Sequence, residues 1–216
     1  MERSFKFVCG RAILTMKIPL WRDMARPITF NRDEVLGRAT EVFWEHGYCD
    51  TSVSQLVEAT RLKPGSLYAA FESKEGLFLA ALDRYAQQSC RRLRALLAEA
   101  PDPLRGVEQL FEQLADSGRR EARRGCLLVN SVLEVGRLNP TVQARARAHL
   151  AEIEAILRGA LEQARANGEL ATGKSPESLA KFLMTTIWGL RVLGGTGADR
   201  ESAQLVIAEA LSLLRD

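Results

Sequence analysis

Histidine is nearly missing from this chain: there are two, His46 and His149, in 216 residues. Cysteine is sparse as well, with Cys9, Cys49, Cys90 and Cys126 widely spaced and no C-x-x-C pair. A structural zinc site needs four soft ligands brought together, and one His46–Cys49 spacing does not provide them, so no metal is expected. G-x-S-x-G, the P-loop and H-E-x-x-H are all absent from the sequence. That removes the usual hydrolase, nucleotide-binding and metalloprotease chemistries and leaves no enzyme or cofactor to expect. No apolar run approaches the roughly 20 residues of a membrane span. The expectation is therefore a cytoplasmic chain with reduced thiols and no membrane partner. Aromatics are few, at 6%, while Ala, Leu, Arg and Glu are abundant, a balance that favours helix over sheet. What remains is an ordinary globular composition, 46% hydrophobic and 26% charged, long enough for one large domain or two small ones sharing a core.

Net charge offers no argument for a nucleic-acid partner. The formal +3 resides in residues 1–23, which hold five basic groups and two acidic ones; the rest balances at 25 of each. This segment is interrupted at Arg11 and Lys17, whereas a secretory signal needs roughly 7–15 apolar residues in a row. Met24 then opens MARPITFNRDE. Met24 is expected to be the initiator, or residues 1–23 a mobile extension; an organelle leader is the remaining alternative.

Beyond this segment, apolar positions recur at helical spacing and no strand pattern is evident. A first helix is expected over 31–46, capped by Asn31 or Thr29, with Asp33 and Glu34 at its positive end and Gly47 ending it. Val35, Ala39, Val42 and Phe43 share its core face. Thr51 or Ser52 caps a second helix of about two turns, with Gln55 placed for a capping box. Arg61-Leu62-Lys63 is a tight turn, and Pro64 opens a third short helix through Phe71. Two short helices joined by three residues make a helix-turn-helix. Leu67 and Phe71, four apart, anchor the third helix, leaving Gly65, Ser66, Tyr68 and Ala69 outward. So small a surface fits the major groove of DNA, about 12 Å wide. Ser73 caps the next helix, and Lys74 at its start opposes the helix dipole, which suggests a phosphate contact.

The stretch Leu62-Lys63-Pro64-Gly65-Ser66-Leu67-Tyr68-Ala69-Ala70-Phe71-Glu72-Ser73-Lys74-Glu75-Gly76-Leu77-Phe78, preceded by Ala39, Phe43, Gly47, Tyr48 and Thr51-Ser52-Val53, resembles the DNA-binding signature of tetracycline-repressor (TetR) regulators. The match spans roughly residues 30–80. Arg61 departs from it, standing where the family often has glycine, and so does Ala69-Ala70, where histidines are common. The resemblance implies an all-α protein of about nine helices. A three-helix DNA-binding domain (24–76) would precede a helical effector-binding and dimerisation domain (77–216). It implies phosphate contacts from Thr51, Tyr68 and Lys74. Groove and base contacts would come from Ser54, Gln55, Lys63, Gly65, Ser66 and Ala69, with Ser52 also counted at the DNA interface.

A long helix is expected over 74–100, stopped by Pro101 and Pro103, then helices at 103–119, 124–136, 140–167, 175–194 and 200–215. Leu150, Ile153, Leu157 and Leu161, together with Val206, Ile207, Leu211 and Leu214, suit either a monomeric core or a partner helix. The resemblance favours a homodimer on a palindromic operator with half-sites about 34–36 Å apart. Middle helices are then expected to enclose an effector pocket lined by Phe78, Leu82, Phe111, Leu114, Leu127, Leu128, Met184 and Trp188. Cys126 joins them: Arg123, Arg124 and a helix N-terminus would favour its thiolate. The Gly125-Cys126-Leu127 segment resembles one in family members that respond to electrophiles. An inert buried thiol is the alternative. The implied function is a repressor released by a small molecule or by thiol modification. An architectural or activating helical DNA-binding protein without an effector is the competing reading.

Overall fold

The computed structural model describes residues 4–9, 12–17, 30–116, 124–171 and 173–215. They fall into two units, Met1–Asn31 and Arg32–Asp216. In the first, β1 (Ser4–Cys9) and β2 (Ala12–Lys17) pair antiparallel, with Phe5 opposite Met16 and Phe7 opposite Leu14. This corrects the expectation that strand patterns are absent. Polar and apolar residues alternate in Ser4-Phe5-Lys6-Phe7 and in Leu14-Thr15-Met16-Lys17, the period of a strand. Met24 and Thr29 lie outside the described residues.

The second unit is all-helical, with nine helices among the described residues: α1 (Arg32–His46), α2 (Val53–Thr60), α3 (Pro64–Phe71), α4 (Lys74–Glu99), α5 (Pro103–Asp116), α6 (Leu127–Val135), α7 (Pro140–Ala166), α8 (Pro176–Gly195) and α9 (Arg200–Arg215). Their ends are written in capping chemistry. Ser73 accepts the Gly76 N–H (2.9 Å), Asn139 accepts the Val142 N–H (3.0 Å), and Pro64, Pro140 and Pro176 occupy first-turn positions. The expected spans match to within three residues, residues 117–119 lying outside the described ones.

Two cores share α4. Val35, Ala39 and Phe43 of α1, Leu56 of α2, and Leu67 and Phe71 of α3 are buried, as are Leu77 and Phe78 on the first turns of α4. Burying a side chain of this size stabilises by about 1.5–3 kcal/mol, so these anchors hold three short helices that would be marginal alone. The larger core gathers Leu104, Val107 and Phe111 of α5, Leu157 and Leu161 of α7, Leu183 of α8 and Leu214 of α9. Arg215 closes its far end by donating to Glu108 (2.6 and 2.8 Å).

Candidate nucleic-acid interface and its linked cavity

The helix-turn-helix is set by backbone chemistry that occupies several of the residues expected to meet DNA. Ser52 and Gln55 form a reciprocal capping box: the Ser52 N–H donates to Gln55 Oε1 (2.7 Å) and the Gln55 N–H to Ser52 Oγ (3.2 Å). Thr51 is 1% exposed and its hydroxyl donates to the Gly47 carbonyl, 2.5 Å away, so the free protein does not present it as a surface contact. Arg61 ends α2 in the left-handed region (φ 59°), the conformation for which glycine is the usual residue. Lys63, the residue before α3, is exposed.

On α3 the division into core and surface follows the expected spacing. Leu67 and Phe71 are buried, Ser66 is half-buried, and Gly65, Ala69 and Tyr68 (41% exposed) face outward with Ser54 of α2. A Cβ on Gly65 would meet nothing within 4 Å. Packing does not require glycine there, whereas close approach of another backbone would. Lys74 lies with its Nζ 4.5 Å from the Tyr48 ring centre, which fixes the cation beside this face. Sequence reasoning missed Arg32. It donates to the Ala70 carbonyl (3.0 Å) and stacks over Phe71 (4.3 Å), fastening the end of α3 to α1.

A second set of contacts joins these helices to α6, between residues some 80 positions apart. The Trp44 indole N–H donates to the Gly125 carbonyl (3.0 Å). Arg124 lies over Trp44 (4.4 Å), pairs with Glu41 (2.9 Å) and donates to its carbonyl (3.0 Å). At the other end of α6, Glu134 accepts the Tyr48 N–H (3.0 Å) and the Cys49 N–H (2.6 Å). Gly47 makes room for that carboxylate. Its φ is 79°, and a Cβ would lie 2.7 Å from Glu134 Oε2. The α1–α2 loop is therefore tied to α6 by two charge-assisted bonds.

Next to this clamp, α1, α4, α5, α7 and α8 line a partly open cavity of about 600 Å³. Of the residues expected at an effector pocket, Leu114, Cys126, Met184 and Trp188 line this cavity. Five expected lining residues do not. Phe78 and Leu127 border a separate groove between the end of α1 and α6, while Leu82, Phe111 and Leu128 are buried core bordering neither space. Periodicity gives each helix an inward face but cannot say where packing leaves a gap. Leu150, Ile153 and Leu157, which suited either a monomeric core or a partner helix, line the cavity. Tyr85 and three arginines, Arg84, Arg92 and Arg191, were not anticipated.

Cys126 is the N-cap residue of α6, half-buried, and its side chain makes no cap bond. Arg124 turns from it to Glu41 and Trp44; Arg123 lies outside the described residues. The Tyr85 ring is edge-on to Trp44 (5.2 Å), and burial first, then the neighbouring Cys126, raises its hydroxyl well above the usual tyrosine range. Cys90 is buried in α4, and burial raises its thiol too.

The remaining residues expected at a subunit interface are also mostly internal. Leu161 and Leu214 are fully buried, Ile207 is buried and Leu211 packs on the core; Val206 alone among the eight is exposed (42%). The exposed large apolar side chains of α8 and α9 are Phe182, Val192 (61%), Leu205 (65%) and Val206. The exposed apolar side chains thus coincide with the expected set only at Val206.

The family model for bacterial regulatory proteins of the tetR family matches residues 35–81, and that for the tetracyclin repressor-like C-terminal domain matches residues 103–208. The chain is 31% identical to the HTH-type transcriptional repressor ComR of Escherichia coli, over 89% of this chain and 92% of that one. It is 30% identical to the repressor AcnR of Corynebacterium glutamicum, over 83% and 89% of the two chains. Among solved structures, a cysteine-substituted variant of the TetR family regulator CifR, in complex with 26-bp operator DNA, superposes with a TM-score of 0.77. It is 36% identical and covers 88% of this chain and 99% of that one. The reduced form of NemR from Escherichia coli shares the fold (TM-score 0.77, 22% identity).

Proposed function

The chain belongs to the tetracycline-repressor (TetR) family of transcriptional regulators, and from that premise we propose a dimeric repressor that holds a palindromic operator until its cavity is occupied. The observation that carries this reading is the continuous bonding from the cavity wall to the helix-turn-helix. Trp44 and Glu41 line the cavity and hold residues 124 and 125, and α6 then reaches the loop before α2 through Glu134. An occupant that displaces α4 or α6 changes how α2 and α3 are held. In a dimer it changes the spacing of two recognition helices, which must suit half-sites about 34–36 Å apart. Such control requires different affinity for the two states, and couplings of about 1–3 kcal/mol are typical.

In this reading α3 enters the major groove with Gly65, Ser66 and Ala69 toward the bases and Lys63 at its start in the groove, while Tyr68 and Lys74 meet phosphates. Ser52 and Gln55 act chiefly by holding α2, and Thr51 by holding the loop before it. The second copy docks on the α8–α9 face bearing Phe182, Val192, Leu205 and Val206. Acting on chromosomal DNA places the protein in the cytoplasm. Cys126 offers a second trigger, because its thiol borders the cavity at the start of α6 and is free of capping duty. Addition of the thiol across an activated C=C bond would form an S–C bond, break the π bond, deliver the thiol proton to the neighbouring carbon and add bulk where the clamp begins.

Footprinting of purified protein on genomic fragments separates this from an architectural role. Two protected half-sites on one face of the duplex, at few loci, are expected. Protection of many unrelated sequences would replace the repressor by an architectural protein.

A further inference from the structure

The cavity wall carries more positive charge than it neutralises, and this points to the class of molecule that fills it. Three arginines line it, Arg84, Arg92 and Arg191, against one acid, Glu41. Glu41 is taken by Arg124 (2.9 Å). Arg84 is taken by Asp33, through its Nε (3.0 Å) and an Nη (3.3 Å). Arg92 reaches only the neutral Ser89 hydroxyl (3.4 Å), and Arg191 has no carboxylate within ion-pair distance among the described residues. Arg191 is half-buried on α8, one turn from Trp188, with Tyr85 opposite. The rest of the wall combines apolar side chains, Trp44, Leu114, Met184 and Trp188 among them, with neutral polar ones such as Thr40 and Gln88.

We propose that this cavity binds an amphipathic organic carboxylate, its charged end held by the Arg191 guanidinium with Arg92 in support and its ring or chain against Trp188, Trp44 and Met184. A guanidinium offers parallel N–H donors that match a carboxylate, and such charge-assisted pairs are about twice as strong as neutral ones. The apolar side chains of the wall supply area for the body. An amine of the same shape meets an uncompensated guanidinium and is rejected. The proposal rests on the reading of this cavity as the effector site.

Three probes of one shape test it by calorimetry: 2-naphthylacetate, its neutral amide, and 2-(2-naphthyl)ethylammonium. The carboxylate is expected to bind roughly tenfold or more tighter than the amide, with no measurable binding of the amine. Arg191→Gln is expected to bring carboxylate and amide to within about twofold, and Arg191→Lys to keep part of the difference. Equal binding of all three, a preference for the amine, an unchanged preference in Arg191→Gln, or no binding of any probe at millimolar concentration overturns the proposal. Operator release by the carboxylate, read separately by anisotropy, distinguishes the two layers. Selective binding without release would leave the anion site standing and remove its role as effector site.

Discussion

Replacing Glu134 by alanine deletes the acceptor for two backbone N–H groups at once. The Tyr48 N–H (3.0 Å) is partly buried and would be left without its partner, while the Cys49 N–H (2.6 Å) is exposed and would turn to water. Bonds to a charged acceptor are worth about 1.5–3 kcal/mol when shielded and less at a surface. One partly buried bond lost and one replaced by water therefore gives a cost of about 1–2 kcal/mol. For a chain of this size that lowers Tm by about 2–8 °C. The effect is local, so hydrogen exchange is the sharper assay. The Tyr48 and Cys49 amides should lose protection by roughly 5–30-fold, with α7 and α9 unchanged. Glu134→Gln, which keeps one carbonyl acceptor, should fall between. If both amides exchange as in the parent protein, the clamp between α6 and the α1–α2 loop does not exist in solution, and the proposed route from cavity to DNA loses its last link.

Three further outcomes follow from the same structure. Tyr68→Ala should weaken operator binding by about 1–3 kcal/mol while leaving Tm within about 1 °C, whereas Leu67→Ala, one residue away but buried, should cost about 2–5 kcal/mol of stability in urea melts. Leu205→Asp with Val206→Asp should convert the dimer to monomer in sedimentation and abolish high-affinity operator binding, since both side chains are exposed in the single subunit and burying unpaired carboxylates is costly. Burial raises the Tyr85 hydroxyl, so the unfolded chain releases this proton first as pH rises past about 10. Stability from Tyr85 is therefore intact below that pH and lost above it. In urea melts between pH 9 and 11, Tyr85→Phe should show a shallower alkaline decline than the parent, and an identical decline would contradict the assignment.

The helix-turn-helix was readable because its signals are local. Ser52 with Gln55, Pro64, and Leu67 with Phe71 each act within four residues, and each is where the spacing put it. The same locality explains the misplaced faces. A run such as Leu150, Ile153, Leu157 and Leu161 specifies that one side of α7 is apolar, yet the sequence does not contain the identity of the neighbour. That neighbour proved to be the chain's own cavity and core. The clamp was invisible for a related reason. Glu134 with Cys49 and Trp44 with Gly125 are meetings of distant residues that leave no periodic trace. The hairpin differs, because its alternation was present at Leu14-Thr15-Met16-Lys17, where Lys17 was counted as a break in an apolar run.

Whether this chain is a sequence-specific dimeric regulator is tested most directly by fluorescence anisotropy. The protein would be titrated against a duplex from its own upstream region and against the same duplex shuffled, at two salt concentrations. A preference of about 10³ or more for the native duplex, with two subunits per site, is the expected result. Equal weak binding to both, with a steep salt slope, would reduce the interaction to phosphate contacts and contradict the account.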